Sequence, residues 1–209
     1  MVEVVIILLL AVVFLFSVEY LSRKRKYPPE ITRKFIHISG GTVAAFTPWF
    51  LTWHQIEEIA AVLFIIILIS RVFHVFDSIN SIKRTSIGDL LFALCIGLVA
   101  IIAHDRLIFA AAILHMSLAD GLAAVAGTSL GKKTGYKVFG QQKSLVGSGV
   151  FWLCSVLILL WYLALSHTSA NWAVIIWLPL LATGLEAVGL DGTDNLLVPV
   201  VVAIILNRL

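Results

Sequence analysis

Apolar residues in this chain come in long blocks rather than alternating with polar ones. VVIILLLAVVFLF (4–16) and AVLFIIILI (61–69) contain no charge at all. A membrane-spanning helix needs about 20 mostly apolar residues. The blocks predict spans near 2–21, 36–53, 56–76, 88–103, 107–127, 145–165 and 172–190. An eighth segment, 195–206, holds Pro199 and either spans, kinks or re-enters. The pattern predicts an all-α, polytopic membrane helix bundle of seven to eight transmembrane helices. It reads as one integral membrane domain over 1–209, with 1–21 as an N-terminal anchor helix and no internal repeat.

Composition sharpens this. The chain has 209 residues, 60% hydrophobic and 13% charged, with a mean hydropathy of +1.03. Soluble domains average roughly 25% charged residues, so a soluble enzyme and a nucleic-acid-binding domain are both excluded. Glu3 precedes the first apolar run and RKRK (23–26) follows it, which suits a retained helix with its N-terminus outside rather than a cleaved signal. Cys95 and Cys154 fall within spans and read as small packing residues.

Charge sets the expected orientation. Twelve of the fifteen basic residues fall on loops one, three and five: Arg23, Lys24, Arg25, Lys26, Arg33 and Lys34, then Lys83 and Arg84, then Lys132, Lys133, Lys137 and Lys143. Positive loops stay in the cytoplasm, so these loops face inward, as in a multi-pass plasma or inner membrane protein of a prokaryote. Arg106 falls on the outer side, and Trp49, Trp53, Trp172 and Trp177 fit an outer aromatic belt.

Ionisable groups inside spans are costly and mark function by default. Asp120 lies past the midplane of the fifth span, and Glu186 reaches a similar depth in the seventh. Asp191 and Asp194 follow at the inner end. A structural alternative pairs Asp120 with a helix-borne cation such as Arg71. Several acids beneath a basic face suit a divalent metal and a polyphosphate better. GTSLGKKT (127–134) fails the P-loop pattern by spacing and follows a helix rather than a strand. A glycine turn near Gly127 and Gly131, with Lys132 and Lys133, would still offer N–H groups and ammonium groups to phosphate. KSLVGS (143–148) opens the sixth span, where a helix N-terminus favours an anion. RKFIHISGG (33–41) places Arg33 and His37 on one helix face. Gly88-Asp89 reads as an N-cap or a functional pair. His54, His74, His104, His115 and His167 show no metal-site spacing.

RKFIHISGG, SLADGLAAVAGTSLGKK, KSLVGS and EAVGLDGTDNLLVP together resemble, in order, the signature blocks of the polyprenol kinase family. That family includes dolichol, phytol and farnesol kinases and a CTP-dependent diacylglycerol kinase, with phosphatidate cytidylyltransferases as distant relatives. The match runs from 33 to 202, the expected catalytic core. The resemblance implies a membrane enzyme that transfers the γ-phosphoryl group of a nucleotide, often CTP, to a lipid alcohol. Arg33, Lys34, Asp120 and Gly127 match residues such enzymes require. Lys143, Ser144, Gly147 and Ser148 match the K-S-x-E-G-S block, with Val146 in place of its glutamate. Glu186, Asp194, Asn195 and Pro199 match the last block, and Asp89 stands where many relatives carry glutamate.

Phosphoryl transfer asks a protein for alignment and charge neutralisation. Asp120 is expected as the main Mg²⁺ ligand, with Glu186 or Asp194 as a second ligand or base. Lys132, Lys133 and Lys143, with Ser144, Gly147, Ser148, His37 and Asn195, would hold the nucleotide (CTP, or ATP). Arg33 and Lys34 would neutralise the transferring group, and the lipid hydroxyl would enter from the bilayer at the cytoplasmic face. Two alternatives stand beside the kinase: a CDP-lipid-forming cytidylyltransferase, and a non-enzymatic transporter. Polarity confined to the cytoplasmic half argues against transport. The sequence leaves the lipid and the oligomeric state, including a homo-oligomer, open.

Overall fold

The computed structural model describes residues 2–73, 87–168 and 172–209; His74, Lys83 and Arg84 lie outside them. In chain order the described helices are α1 (Val2–Arg25), α2 (Pro29–Ala45), α3 (Trp53–Phe73) and α4 (Gly88–Ile102). Then come α5 (Arg106–Leu114), a π turn (His115–Ala119), α6 (Asp120–Leu130) and a 3₁₀ turn (Gly131–Thr134). Strands β1 (Gly135–Val138) and β2 (Gln141–Ser144) precede α7 (Leu145–Ser166), α8 (Trp172–Val188) and α9 (Asp194–Leu206). Among the described residues, three stretches are long and apolar enough to cross a membrane: Glu3–Arg25, Arg106–Thr134 and Leu145–Ser166. α4, α8 and α9 are shorter apolar helices.

The helical class agrees with the apolar blocks, but three local expectations are corrected. The block 36–53 is not one helix. α2 begins earlier, at Pro29, where a missing N–H costs nothing, and ends at Ala45. Pro48 then sits in a separate 3₁₀ turn, Thr47–Trp49. Secondly, Pro199 does not interrupt the last segment, which runs as one helix from Asp194 to Leu206. Thirdly, residues 135–144 form an antiparallel hairpin in which Val138 pairs with Gln141. Its two-residue turn has φ of 46° at Phe139 and 83° at Gly140, the positive pair that a type I′ hairpin turn requires.

The stretch Arg106–Thr134 is the axis of the fold. Asp105 caps it, accepting from the N–H groups of Leu107 and Ile108 at 2.7 and 3.0 Å. Every residue from Ile108 to Ser117 is buried, and the small side chains Ala110, Ala111 and Ala112 let neighbouring helices close in. α2, α7 and α9 pack on this axis, while α3 packs on α4 and α4 on α9. His115, fully buried, donates from Nδ1 to the Ala111 carbonyl at 2.7 Å and accepts at Nε2 from the Ser155 hydroxyl at 2.8 Å. It is a packing residue that joins the axis to α7. α1 is peripheral and mostly exposed along its length. At the start of α5, the Arg106 guanidinium lies 5.2 Å from the Trp49 ring centroid.

Candidate active site

The π turn ends at Asp120. Its extra residue per turn sends the Asp120 N–H back to the His115 carbonyl, a local irregularity that recurs at functional positions. The Asp120 carboxylate is buried and faces α2, where Lys34 Nζ lies 3.1 Å from Oδ2 and His37 Nε2 lies 3.3 Å from the same oxygen. His37 Nε2 also lies 2.8 Å from the Met116 carbonyl. A carbonyl only accepts, so Nε2 carries the proton. The imidazole stacks on Phe92 of α4, with ring centroids 4.9 Å apart.

A second lysine approaches from the opposite side. Lys143, on β2, donates to Glu186 Oε1 at 2.5 Å and to the Glu186 carbonyl at 2.8 Å. Burial pushes its ammonium downward, but the Glu186 carboxylate, with Asp194 and Asp120 beyond it, more than offsets this and holds Lys143 above its ordinary value. The ligand oxygens of Asp120, Glu186 and Asp194 all lie within 4.8 Å of one another. These carboxylates come from α6, the end of α8 and the first turn of α9. The turn between α8 and α9 makes this possible at Gly189, where a Cβ would fall 2.6 Å from Asp194 Cβ. Three carboxylates offering oxygen donors at this spacing fit a hard divalent cation such as Mg²⁺.

The glycine turn expected near Gly127 and Gly131 begins only at Gly131, as a 3₁₀ turn. α6 runs through Gly127 to Leu130, so the Gly127 region is helix rather than an open cradle. These glycines are packing positions against Ser144: a Cβ would lie 2.9 Å from its Oγ at Gly127 and 2.3 Å at Gly131. Gly147 approaches Gly127 from α7, where a Cβ would meet the Ala123 carbonyl at 3.1 Å. Ser144 itself caps α7, accepting from the Gly147 N–H at 3.0 Å, a role its place before an apolar run announces. Ser148 meets the Tyr136 hydroxyl at 2.7 Å and fastens the hairpin to α7. Of KSLVGS, then, Lys143 reaches the acids while the other residues build the joint that aims it. Val146 packs beside Gly131.

Lys132 and Lys133 stand exposed on the 3₁₀ turn after α6, apart from the buried ion pairs. Asp191 is exposed on the α8–α9 turn, where its carbonyl accepts from the Ile87 N–H. Asn195 is buried and donates to the Gly88 carbonyl at 2.8 Å, tying α9 to α4. Arg71 does not pair with Asp120; it forms a two-pronged ion pair with Asp89. Asp89 is therefore not the expected N-cap, and no side-chain hydrogen bond caps α4.

An apolar cavity of about 820 Å³ lies on the far side of α2, walled by α1, α2, α3 and α4. Its charged, imidazole and amide side chains gather at one end, with Arg33, His37, Asp89 and Asn195. The neighbours Arg33 and Lys34 thus serve different places, the cavity and the acid cluster. His37 borders both, and Asn195 sits next to Asp194. The cavity's walls come from four separate apolar blocks, so no local pattern announces it.

A phytol kinase from Synechocystis sp. is 34% identical to this chain over 197 residues, spanning 90% of the chain and 83% of that relative. No family model and no solved structure matches.

Proposed function

This chain belongs to the polyprenol kinase family, and we propose that it phosphorylates a lipid alcohol with the γ-phosphoryl group of CTP at the cytoplasmic face of a membrane. The convergence of Asp120, Glu186 and Asp194 within 4.8 Å, with His37 of the cavity's polar end in contact with Asp120, carries this reading. The lipid hydroxyl enters from the cavity past Arg33, His37 and Asn195. The nucleotide enters from the side of the hairpin, where Lys143 stands. The hydroxyl oxygen attacks the γ-phosphorus, the bond from that phosphorus to the β–γ bridging oxygen breaks, and the nucleoside diphosphate leaves. The hydroxyl proton passes to a carboxylate of the cluster.

Mg²⁺, held by Asp120, Glu186 and Asp194, would supply charge neutralisation on the β- and γ-phosphates. Lys34 and Lys143 balance the carboxylates when the nucleotide is away and turn to phosphate oxygens when it arrives. As point charges on flexible stems, lysines suit such an exchange. The reading also takes the bundle as seven to eight spans with an outside N-terminus. The basic run Arg23–Lys26 closes α1 beside the start of α2, where the Ser22 and Thr32 hydroxyls meet at 2.7 Å. That basic end is the one that carries Lys34, which supports a cytoplasmic position for the acid cluster by the positive-inside rule.

The test incubates purified protein in vesicles with a twenty-carbon isoprenoid alcohol and each of the four γ-labelled nucleotides. Label in a lipid phosphate, greatest with CTP and dependent on Mg²⁺, is the expected result. Label in pyrophosphate would instead reveal cytidylyl transfer, and no consumption of any nucleotide would sink the enzymatic reading.

A further inference from the structure

Adjacent glycines in α2 have unlike surroundings. A Cβ on Gly41 would fall 2.3 Å from Ser117 Cβ and 3.1 Å from the Phe92 ring, so α2 crosses the axis there and only glycine fits. A Cβ on Gly40 would meet nothing within 4 Å. Glycine inside a helix costs roughly 1 kcal/mol relative to alanine, and no packing neighbour at Gly40 demands it. What lies beside Gly40 is the 820 Å³ cavity, which it lines.

The cavity is directional. One end holds Arg33, His37, Asp89 and Asn195; the other is lined by Phe46, Thr47, Phe50 and Leu51. Between them Ser39 donates to the Phe35 carbonyl at 2.6 Å, and Thr47 donates to the Ala44 carbonyl at 2.7 Å, so both hydroxyls are occupied by their own backbone. The Thr42 hydroxyl has no partner among the described residues. From Arg33 to Phe46 the α2 wall is about 20 Å long at 1.5 Å per residue. A fully extended chain advances about 1.2 Å per bond, so the cavity accepts about 16 bonds of main chain.

We propose that this cavity binds the single hydrocarbon tail of the alcohol substrate along α2 and that Gly40 keeps its midpoint open. This rests on reading the acid cluster as the phosphoryl-transfer site. Continuity between the two supports it: His37 lines the cavity and touches Asp120, so a tail seated here presents its hydroxyl to the carboxylates. A two-chained diacylglycerol would need two such channels side by side.

Gly40→Phe tests the proposal. Gly40 lies about 10 Å along α2 from Arg33, so a phenyl ring there leaves room for about eight bonds. The substitution also improves helix propensity, and Gly40→Ala serves as a small control that leaves the passage open. Kinetics are measured with ten-, fifteen- and twenty-carbon isoprenoid alcohols and with diacylglycerol. Gly40→Phe is expected to raise KM for the twenty-carbon alcohol by about tenfold, or 1.4 kcal/mol. The ten-carbon alcohol and the nucleotide should keep their KM values, and Gly40→Ala should behave like the parent. A parallel fall for all lengths, an unchanged length profile, or diacylglycerol used as well as single-chain alcohols would each overturn the proposal. A parent protein inactive on every alcohol would instead overturn the kinase reading beneath it.

Discussion

Two ionic sites lie a few helices apart and are built on opposite principles. Arg71 and Asp89 join α3 to α4 through a forked guanidinium–carboxylate pair. At the axis, three carboxyl groups (Asp120, Glu186 and Asp194) face two ammonium groups, Lys34 and Lys143. Arginine in a fork is a fixed brace, whereas lysine is a movable point charge. The first site is a direct guanidinium–carboxylate contact; the second has three carboxyl groups to two lysines, which suits a cation brought from outside. The contrast separates a strut from a site, though both put charges between apolar helices.

The largest effect should come from the centre of the second site. Asp120→Asn is expected to lower kcat by about 10²–10³-fold, the scale for losing one preorganised charge-stabilising group, while the protein still inserts in membranes. Near-normal turnover would remove Asp120 from the reaction. Glu186→Gln should act on the same unit by raising the Mg²⁺ concentration for half-maximal activity by about 10–100-fold. A variant with an unchanged Mg²⁺ titration would leave Glu186 as Lys143's structural partner alone. Asp89→Asn sharpens the other half of the contrast: it should lower stability by about 1–2 kcal/mol without moving the Mg²⁺ midpoint. Thermal unfolding in detergent and a Mg²⁺ titration separate the two. A shifted midpoint would mean that the brace and the site are one network.

What was legible in the sequence follows from this energetics. A carboxylate in an apolar run is expensive wherever the chain folds, so Asp120, Glu186 and Asp194 stood out, and the structure brings them together. Lys34 and Lys143 stood out less sharply, among twelve basic residues on three loops. The reasons behind glycines were not legible, since they depend on what lies opposite. Gly127 and Gly131 suggested a phosphate cradle but accommodate Ser144, and the pair Gly40-Gly41 divides between a cavity and a helix crossing. The partner of Arg71 was open for the same reason: a long side chain deep in a span has several carboxylates within reach, and only packing chooses Asp89 among them. The hairpin was missed because ten residues between two apolar blocks carry too little pattern to override a loop.

The smallest effect concerns the protonation of Lys143, and it discriminates between two environments. Burial alone would push this ammonium below its ordinary value of about 10.4; the neighbouring carboxylates push it above. A cationic group raised on folding adds stability that is fully present below its unfolded pKa and lost as pH rises through the folded one. The stability difference between the parent protein and Lys143→Met should therefore stay constant from neutral pH to about 10 and shrink only above that. Melting curves of both proteins across that range provide the measurement. Were burial to dominate, the folded pKa would lie below the unfolded one, so a parent protein that gains stability over Lys143→Met as pH rises toward 10 would show that the second site lacks one of its two charges.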